Sequence, residues 1–219
     1  MPAPIPQKRA RSASSKAIRR QNILDAADQL FAAHPSVLPT VAEISQLCEL
    51  AKGTVYIYFE SKEAIFLALL ESAQRQWLAR LREVAEQTGE LTTVVDALCN
   101  HLDAKPRLMQ LASLSSNVLE PNVTEEQLYN YKKTMADEIA ATAEALQPLF
   151  QDGRKTSAVV HMLLQTYALL LGLWQLSHPT HQRRGVHAPE LDMLQPPFMS
   201  SAKAALLRLW QLEGSSKKA

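Results

Sequence analysis

Residues 40–66 read TVAEISQLCELAKGTVYIYFESKEAIF, and this stretch decides how the rest of the chain is interpreted. Thr40 stands three residues before Glu43, which is the capping-box pattern that begins a helix, and apolar residues then recur at helical spacing. Residues 48–50 are too few for anything but a tight turn, and a second short helix is predicted over 51–58. Two short helices joined by a three-residue turn form a helix-turn-helix.

The second helix of such a motif lies in the major groove of DNA, which is about 12 Å wide and accepts one helix. Its first residues lie at the helix N-terminus, where unpaired N–H groups favour phosphate, and Gly53 allows the backbone to approach closely. Hydroxyls of tyrosines can reach phosphates or base edges, and an isoleucine can pack on a thymine methyl. The predicted DNA contacts are Thr40, Lys52, Gly53, Thr54, Tyr56, Ile57, Tyr58 and Lys62. A core position is predicted for Phe59, and a core position and a DNA contact are equally compatible with Tyr58.

Positive charge is concentrated at the N-terminus. The first 20 residues contain six lysines and arginines and no acidic residue, whereas the net charge of the whole chain is only +1. A cationic end on a near-neutral body favours contact with a polyanion. Because prolines and serines are frequent in residues 1–14, we predict a disordered basic arm there.

The rest of the chain is predicted to be helical almost throughout. Hydrophobic residues make up 47% of the 219 positions, which is enough for a substantial core, and only six are glycine. The apolar periodicity predicts an all-α fold of about nine helices. The predicted helices cover about 15–33, 40–47, 51–58, 61–87, 91–104, 106–120, 124–149, 154–177 and 197–212. We expect a helix-turn-helix domain over 15–62 and a second helical domain over 63–219.

Several classes of protein are not expected. No GxSxG or HxxxH motif and no glycine-rich phosphate loop is present, so the sequence does not favour an enzyme. Cys48 and Cys99 match no zinc-ligand spacing and suit a reducing cytoplasm, and we expect no metal and no cofactor. Residues 158–176 just reach the length of a membrane span, but polar residues interrupt them. We interpret them as a helix buried on most sides within protein and expect no membrane partner.

Three segments resemble the DNA-binding domain of the TetR family of transcriptional regulators: ILDAADQLF (23–31), TVAEIS (40–45) and KGTVYIYFESKEAIF (52–66). The third segment is the most specific, and the resemblance covers about a quarter of the chain. It implies a cytoplasmic homodimer that binds a near-palindromic operator in double-stranded DNA. It also implies a repressor that an unknown small-molecule effector releases from that operator.

The chain departs from the family pattern at three positions within this motif. Glu49 occupies a turn position that usually carries glycine, so a left-handed backbone there costs about 1 kcal/mol. Ala42 stands where a basic residue is frequent, and Ile57 stands where a polar or aromatic residue is frequent. These departures affect which DNA sequence is bound rather than whether DNA is bound.

The resemblance also implies that the last two long helices pair with those of a second subunit in a four-helix bundle. A twofold dimer would present two recognition helices to successive major grooves. The candidate interface residues are Leu169, Leu170, Gly172, Leu173, Trp174, Leu206, Leu209 and Trp210. An ordinary core within one chain is the alternative for these residues.

Polar residues on otherwise apolar helices are the internal clue to an effector pocket. His161 and Gln165 are four residues apart and share a helix face. The full candidate set is His101, Gln110, Asn117, Tyr131, His161, Gln165 and Tyr167. A buried, hydrogen-bonded core group or a surface residue is the alternative for each. The main alternative for the whole protein is a helical adaptor whose N-terminal domain is only structural.

Overall fold

The structure is a computed structural model, and it describes residues 7–35, 37–178 and 189–212. Within these ranges the chain forms nine α-helices and no strand, which confirms the all-α prediction. The helices are α1 (Gln7–Ala33), α2 (Val41–Leu47), α3 (Lys52–Tyr58), α4 (Lys62–Thr88), α5 (Leu91–Ala104), α6 (Arg107–Leu114), α7 (Glu125–Leu146), α8 (Thr156–Ser177) and α9 (Phe198–Leu209). A π-helical turn (Ser115–Leu119) and 3-10 turns (Glu120–Asn122, Gln147–Leu149 and Pro189–Leu194) complete the elements.

Side-chain caps fix the starts of three helices where the sequence predicted them. Thr40 and Thr124 both form complete capping boxes, with Glu43 and Gln127 respectively. The Ser61 hydroxyl accepts a hydrogen bond from the N–H of Ala64 at the start of α4. Each cap satisfies N–H groups that have no partner within the helix.

The first helix begins earlier than predicted. α1 starts at Gln7 rather than Ser15, so residues 7–14 are helical and not part of a disordered arm. The segment QKRARSAS contains mostly residues with fair to good helix propensity and follows the last proline of the N-terminus, Pro6. Residues 1–6 of the predicted arm lie outside the described residues.

The turn of the helix-turn-helix contains a left-handed residue at the position where the family pattern usually has glycine. Glu49 adopts a left-handed conformation with φ of 54°. The N–H of the next residue, Leu50, donates to the carbonyl of Ser45 over 3.0 Å and closes the turn. A non-glycine residue in this conformation costs about 1 kcal/mol, which the cooperative packing of α2 and α3 has to offset.

The central element is α4, which packs against α1, α5, α6 and α7. Its 27 residues span about 40 Å at 1.5 Å per residue. Phe66 near its start packs on Phe31 of α1, with ring centroids 5.5 Å apart, and Trp77 and Leu81 are buried further along. One helix therefore lies in the core of both the N-terminal and the C-terminal parts.

Candidate nucleic-acid interface and effector cavity

One face of α3 points away from the protein. Lys52, Tyr56 and Ile57 are exposed, with 47% of Tyr56 and 72% of Ile57 accessible, whereas Val55 on the opposite side is fully buried. We call these three residues the recognition face. An exposed isoleucine beside a tyrosine whose hydroxyl has no hydrogen bond within the described chain is suited to binding an external partner.

The beginning of α3 is also open. Its N-cap residue, Ala51, has no side-chain acceptor, and the N–H groups of Lys52 and Gly53 have no acceptor in the described ranges. A Cβ atom added at Gly53 would meet no described atom within 4 Å. Packing inside the protein therefore does not require glycine at this position, whereas a close approach of an external phosphate would.

The other predicted DNA-contact residues are less exposed or already interact with neighbouring side chains. The Thr40 hydroxyl accepts from the Glu43 N–H (3.2 Å) and donates to the Glu43 carboxylate (2.6 Å), so its hydroxyl belongs to the cap. Hydrogen bonds from Thr40 lower the pKa of Glu43, which keeps that carboxylate charged. Thr54 and Tyr58 are half-buried, and the Lys62 ammonium lies 3.9 Å from the Glu63 carboxylate.

Phe59, which follows α3, is buried as predicted. The Arg20 guanidinium of α1 lies over its ring, 4.9 Å from the centroid. Tyr58 packs against the edge of the same core. One aromatic residue thus anchors the end of α3, while the face carrying Tyr56 remains free.

The C-terminal part contains a cavity of about 480 Å³. It lies between α4, the α6–π-turn segment, α7 and α8, and its wall is almost wholly apolar. The lining residues are Gln74, Trp77, Leu78, Ala112, Ser115, Ser116, Glu120, Tyr131, Lys132, Met135, Ala136, Ile139, Ala140, Val160, Leu163, Leu164, Tyr167 and Leu171. Cavities of this size and character bind small molecules.

Three polar side chains in the wall form a hydrogen-bonded row. The Tyr131 hydroxyl donates to Gln74 Oε1 over 2.9 Å, and Gln74 Nε2 donates to the Tyr167 hydroxyl over 3.3 Å. Burial raises the pKa of Tyr131 and of Tyr167, so both phenols keep their protons at neutral pH. Gln74 itself is buried on α4.

A second polar group in the cavity wall, built around an ion pair, lies where the π-turn meets α7. The Lys132 ammonium is 2.8 Å from the Glu120 carboxylate, and the Ser115 hydroxyl donates to the same carboxylate over 2.9 Å. These are the two charged residues among the lining residues, and they neutralise each other.

Two of the seven residues predicted from the sequence to bind an effector, Tyr131 and Tyr167, line the cavity. The other five do not line it: Asn117, His161 and Gln165 are exposed, and His101 and Gln110 lie on α5 and α6 away from it. His161 and Gln165 do share a face, but that face points outward. Gln74 was not predicted from the sequence, although an amide on the otherwise apolar inner face of α4 indicates a polar site.

The outer face of α8 forms an exposed, weakly polar stripe. It consists of Ala158, His161, Leu164, Gln165, Ala168, Gly172, Gln175 and Leu176, which we call the α8 stripe. By length and composition α8 could cross a membrane, and only 28% of its most apolar window is buried in the single chain. The prediction that this helix is buried on most sides is therefore wrong for one chain alone.

The predicted dimer residues divide into two groups. Leu170, Trp174, Leu206 and Trp210 are buried within the chain, where the Trp210 indole N–H donates to the Thr166 hydroxyl over 2.9 Å. These four belong to the core within one chain, because α8 and α9 pack on each other. The remaining four, Leu169, Gly172, Leu173 and Leu209, are partly or fully exposed.

Two side-chain contacts join segments that carry cavity-lining residues to the N-terminal part. The Ser61 hydroxyl donates to the carbonyl of Asn122, just after the π-turn, over 3.2 Å. Arg107 of α6 lies against Asp28 of α1, with Nε and Oδ1 2.5 Å apart, and its guanidinium lies 5.1 Å from the Phe31 ring centroid. Neither of the two paired atoms has hydrogen-bond geometry to any described residue, so this partly exposed ion pair is poorly aligned.

Comparison with known proteins agrees with this architecture. Residues 23–69 match the family described as bacterial regulatory proteins, tetR family, and residues 71–211 match the family described as tetracyclin repressor-like, C-terminal domain. These two ranges meet inside α4, whereas the sequence pattern predicted a boundary at residue 62.

Individual relatives are more distant. The chain is 32% identical over 83 residues to the HTH-type transcriptional repressor AcnR of Corynebacterium diphtheriae, covering 38% of this chain and 42% of AcnR. It is 27% identical over 123 residues to the HTH-type transcriptional regulator UidR of Escherichia coli, covering 55% of this chain and 62% of UidR. The chain thus matches about half of the length of these relatives.

The fold matches solved structures over most of its length. FadR from Bacillus subtilis, a transcriptional regulator solved in complex with stearoyl-CoA, has a TM-score of 0.54 at 17% identity, covering 86% of this chain and 96% of FadR. At this identity the likeness concerns the fold alone. Since the two family matches together extend from residue 23 to residue 211, the chain belongs to the TetR family of bacterial regulatory proteins.

Proposed function

We propose that the protein is a dimeric transcriptional repressor that binds a near-palindromic DNA operator and is released from it by a small-molecule effector. The observation that carries this proposal is the recognition face of α3, which exposes Lys52, Tyr56 and Ile57 beside an uncapped helix N-terminus. Ammonium and backbone N–H groups suit phosphates, and the tyrosine hydroxyl and isoleucine methyls suit base edges.

Dimerisation is supported by the α8 stripe. A helix this apolar is normally covered by protein, and the single chain leaves Leu164 and Leu176 about half exposed. A second copy that packs α8 and α9 on the same stripe would cover both residues. It would also hold two recognition faces at a fixed separation, as a twofold-symmetric operator requires.

Effector response is supported by the position of α4. Lys62 at its start flanks the recognition helix, and Gln74 lines the cavity about 18 Å further along the same helix. The Ser61–Asn122 and Asp28–Arg107 contacts connect two segments that carry cavity-lining residues to the N-terminal part. An effector that binds one arrangement of these contacts more tightly than the other shifts the protein toward that arrangement. The resulting change in DNA affinity is limited by the difference between the affinities of the effector for the two arrangements.

A cytoplasmic regulator without catalytic activity fits these features. DNA binding requires access to the chromosome, and the two matched families are described as bacterial regulatory proteins and as a tetracyclin repressor-like C-terminal domain. Coverage of α8 by a second copy accounts for its apolar composition without a membrane.

A salt titration of duplex binding tests this function. The full-length protein is used to select duplexes from a random pool, and the affinity for the enriched duplex is measured by fluorescence anisotropy at several salt concentrations. We expect a near-palindromic sequence and a linear fall of log K against log salt, with a slope of about −0.9 for each neutralised phosphate. A protein that enriches no duplex at low salt is instead the helical adaptor.

A further inference from the structure

We propose that the effector is an uncharged, largely apolar molecule with a hydrogen-bond acceptor such as a carbonyl, which docks at the phenols of Tyr131 and Tyr167. This inference rests on the proposed function, because it assumes that the cavity is where the effector acts. It adds the chemistry that the effector must have.

The hydrogen-bonded row has more protons than acceptors. Gln74 lies between the two phenols, 2.9 Å from the Tyr131 hydroxyl and 3.3 Å from the Tyr167 hydroxyl. A carboxamide offers its oxygen to one phenol and its N–H to the other, whichever way it is turned. In the structure Tyr131 donates to the amide oxygen and Tyr167 accepts from the N–H, so the Tyr167 proton has no acceptor among the described residues.

An unused O–H donor in a mostly apolar wall is costly unless something accepts it. Both tyrosines are cavity-lining residues, so a ligand in the cavity can supply the acceptor. Because burial raises the pKa of both phenols, the unused proton remains in place at neutral pH and the site acts as a donor. A ligand with an acceptor is therefore favoured over one with only donors.

The charges of the wall exclude an ionic ligand. Glu120 and Lys132 are the charged lining residues, and their side chains already lie 2.8 Å apart. A carboxylate or an ammonium ion placed against the apolar remainder would lose its hydration without gaining a free counter-charge. A coenzyme A thioester would also bring several phosphates to a wall without arginine.

The cavity also has an entrance that a substitution can block. Ala136 and Ala140 of α7 line it and are exposed, so they lie at its mouth. A tryptophan at Ala140 would fill the mouth without displacing a buried side chain. Ala141 is exposed on the same helix but does not line the cavity, and A141W is therefore a matched control.

The first experiment compares four probes that share a ten-carbon chain and differ in their head groups. Nile red, an uncharged dye with a carbonyl, is bound to the full-length protein and displaced by methyl decanoate, decanoate, decylamine or decanoyl-CoA. We expect methyl decanoate to displace the dye at least tenfold more effectively than the three charged probes. A140W should abolish dye binding, and A141W should leave it unchanged. The proposal is overturned by equal or better displacement by any charged probe, by no displacement with the ester, or by dye binding that survives A140W.

The second experiment tests the hydrogen bond. Replacing both phenols (Y131F with Y167F) retains the rings and removes the donors, and we expect methyl decanoate to bind about fivefold to tenfold more weakly. Y129F, on an exposed tyrosine of α7, serves as the control. Unchanged ester affinity in the double variant contradicts the docking at these phenols. Binding of the selected duplex is measured on the same samples, so a protein that binds the ester but no duplex refutes the proposed function and not the ligand chemistry.

Discussion

The recognition face of α3 and the α8 stripe both expose apolar side chains, but they differ in everything around those side chains. α3 is a seven-residue helix that carries a lysine and a tyrosine hydroxyl beside a free N-terminus. α8 has 22 residues, and its stripe contains no charged lysine, arginine, aspartate or glutamate side chain. The first surface matches a charged partner with polar edges, and the second matches another apolar surface. Exposed apolar area alone therefore does not identify a partner, whereas the polar groups beside it do.

The largest effect is expected from a charge placed in the α8 stripe. Ala168→Glu would bury two carboxylates in the proposed dimer interface without a partner, so we expect dissociation to a monomer of 24.4 kDa. Operator affinity should fall about 100-fold or more, because the two helix-turn-helix domains would no longer bind as one unit. Sedimentation equilibrium measures the mass, and anisotropy measures the affinity.

Ala141→Glu provides the control, because it puts the same charge on an exposed position of α7 outside the stripe. It should leave both mass and affinity unchanged. A dimer that persists in Ala168→Glu would show that another surface pairs the chains.

The next largest effect is expected from the recognition face. Tyr56→Ala removes a half-exposed side chain, and we expect operator binding to weaken about 10-fold to 100-fold, in keeping with ~1–3 kcal/mol for a base-edge contact. The thermal midpoint should stay the same. Tyr129→Ala, an exposed tyrosine on α7, should change neither quantity, and equal affinities for both variants would remove Tyr56 from the DNA interface.

A smaller effect is expected from the lysines that flank α3. Lys52→Ala and Lys62→Ala should each lower the magnitude of the salt slope by about 1.8 for a dimer, since each removes one phosphate contact per subunit. The loss of affinity should be similar on specific and non-specific duplexes. A loss confined to the specific duplex would mean that the lysine reads a base instead.

The smallest effects are expected from the two helical glycines, which compare the two surfaces directly. A Cβ at Gly53 or at Gly172 meets no described atom within 4 Å, so alanine should stabilise the folded chain by up to about 1 kcal/mol at either position. Gly53→Ala should weaken operator binding without changing dimerisation. Gly172→Ala should weaken the dimer, as seen in the dissociation constant from sedimentation. The proposed difference between the two surfaces is contradicted if both substitutions change operator binding and dimerisation in the same way.

The helix-turn-helix was predictable from the sequence because its determinants are local. The Thr40 capping box, the left-handed turn at Glu49 and the buried Phe59 each depend on neighbours within a few residues. The start of α1 was not placed correctly, because prolines and serines near residue 1 outweighed the helix-forming residues from Gln7 onward.

The sequence by itself determined the number and order of the α-helices and the short segment that holds the helix-turn-helix, since hydrophobic period and capping are properties of consecutive residues. Only the tertiary structure decided which side of each long helix is covered. It brought Gln74, Tyr131 and Tyr167 together from three helices and turned His161 and Gln165 outward. It also buried Trp174 and Trp210 within one chain and left Gly172 exposed. The polar residues of α8 are too few to fix its orientation from the sequence alone, so packing against neighbouring helices determines it.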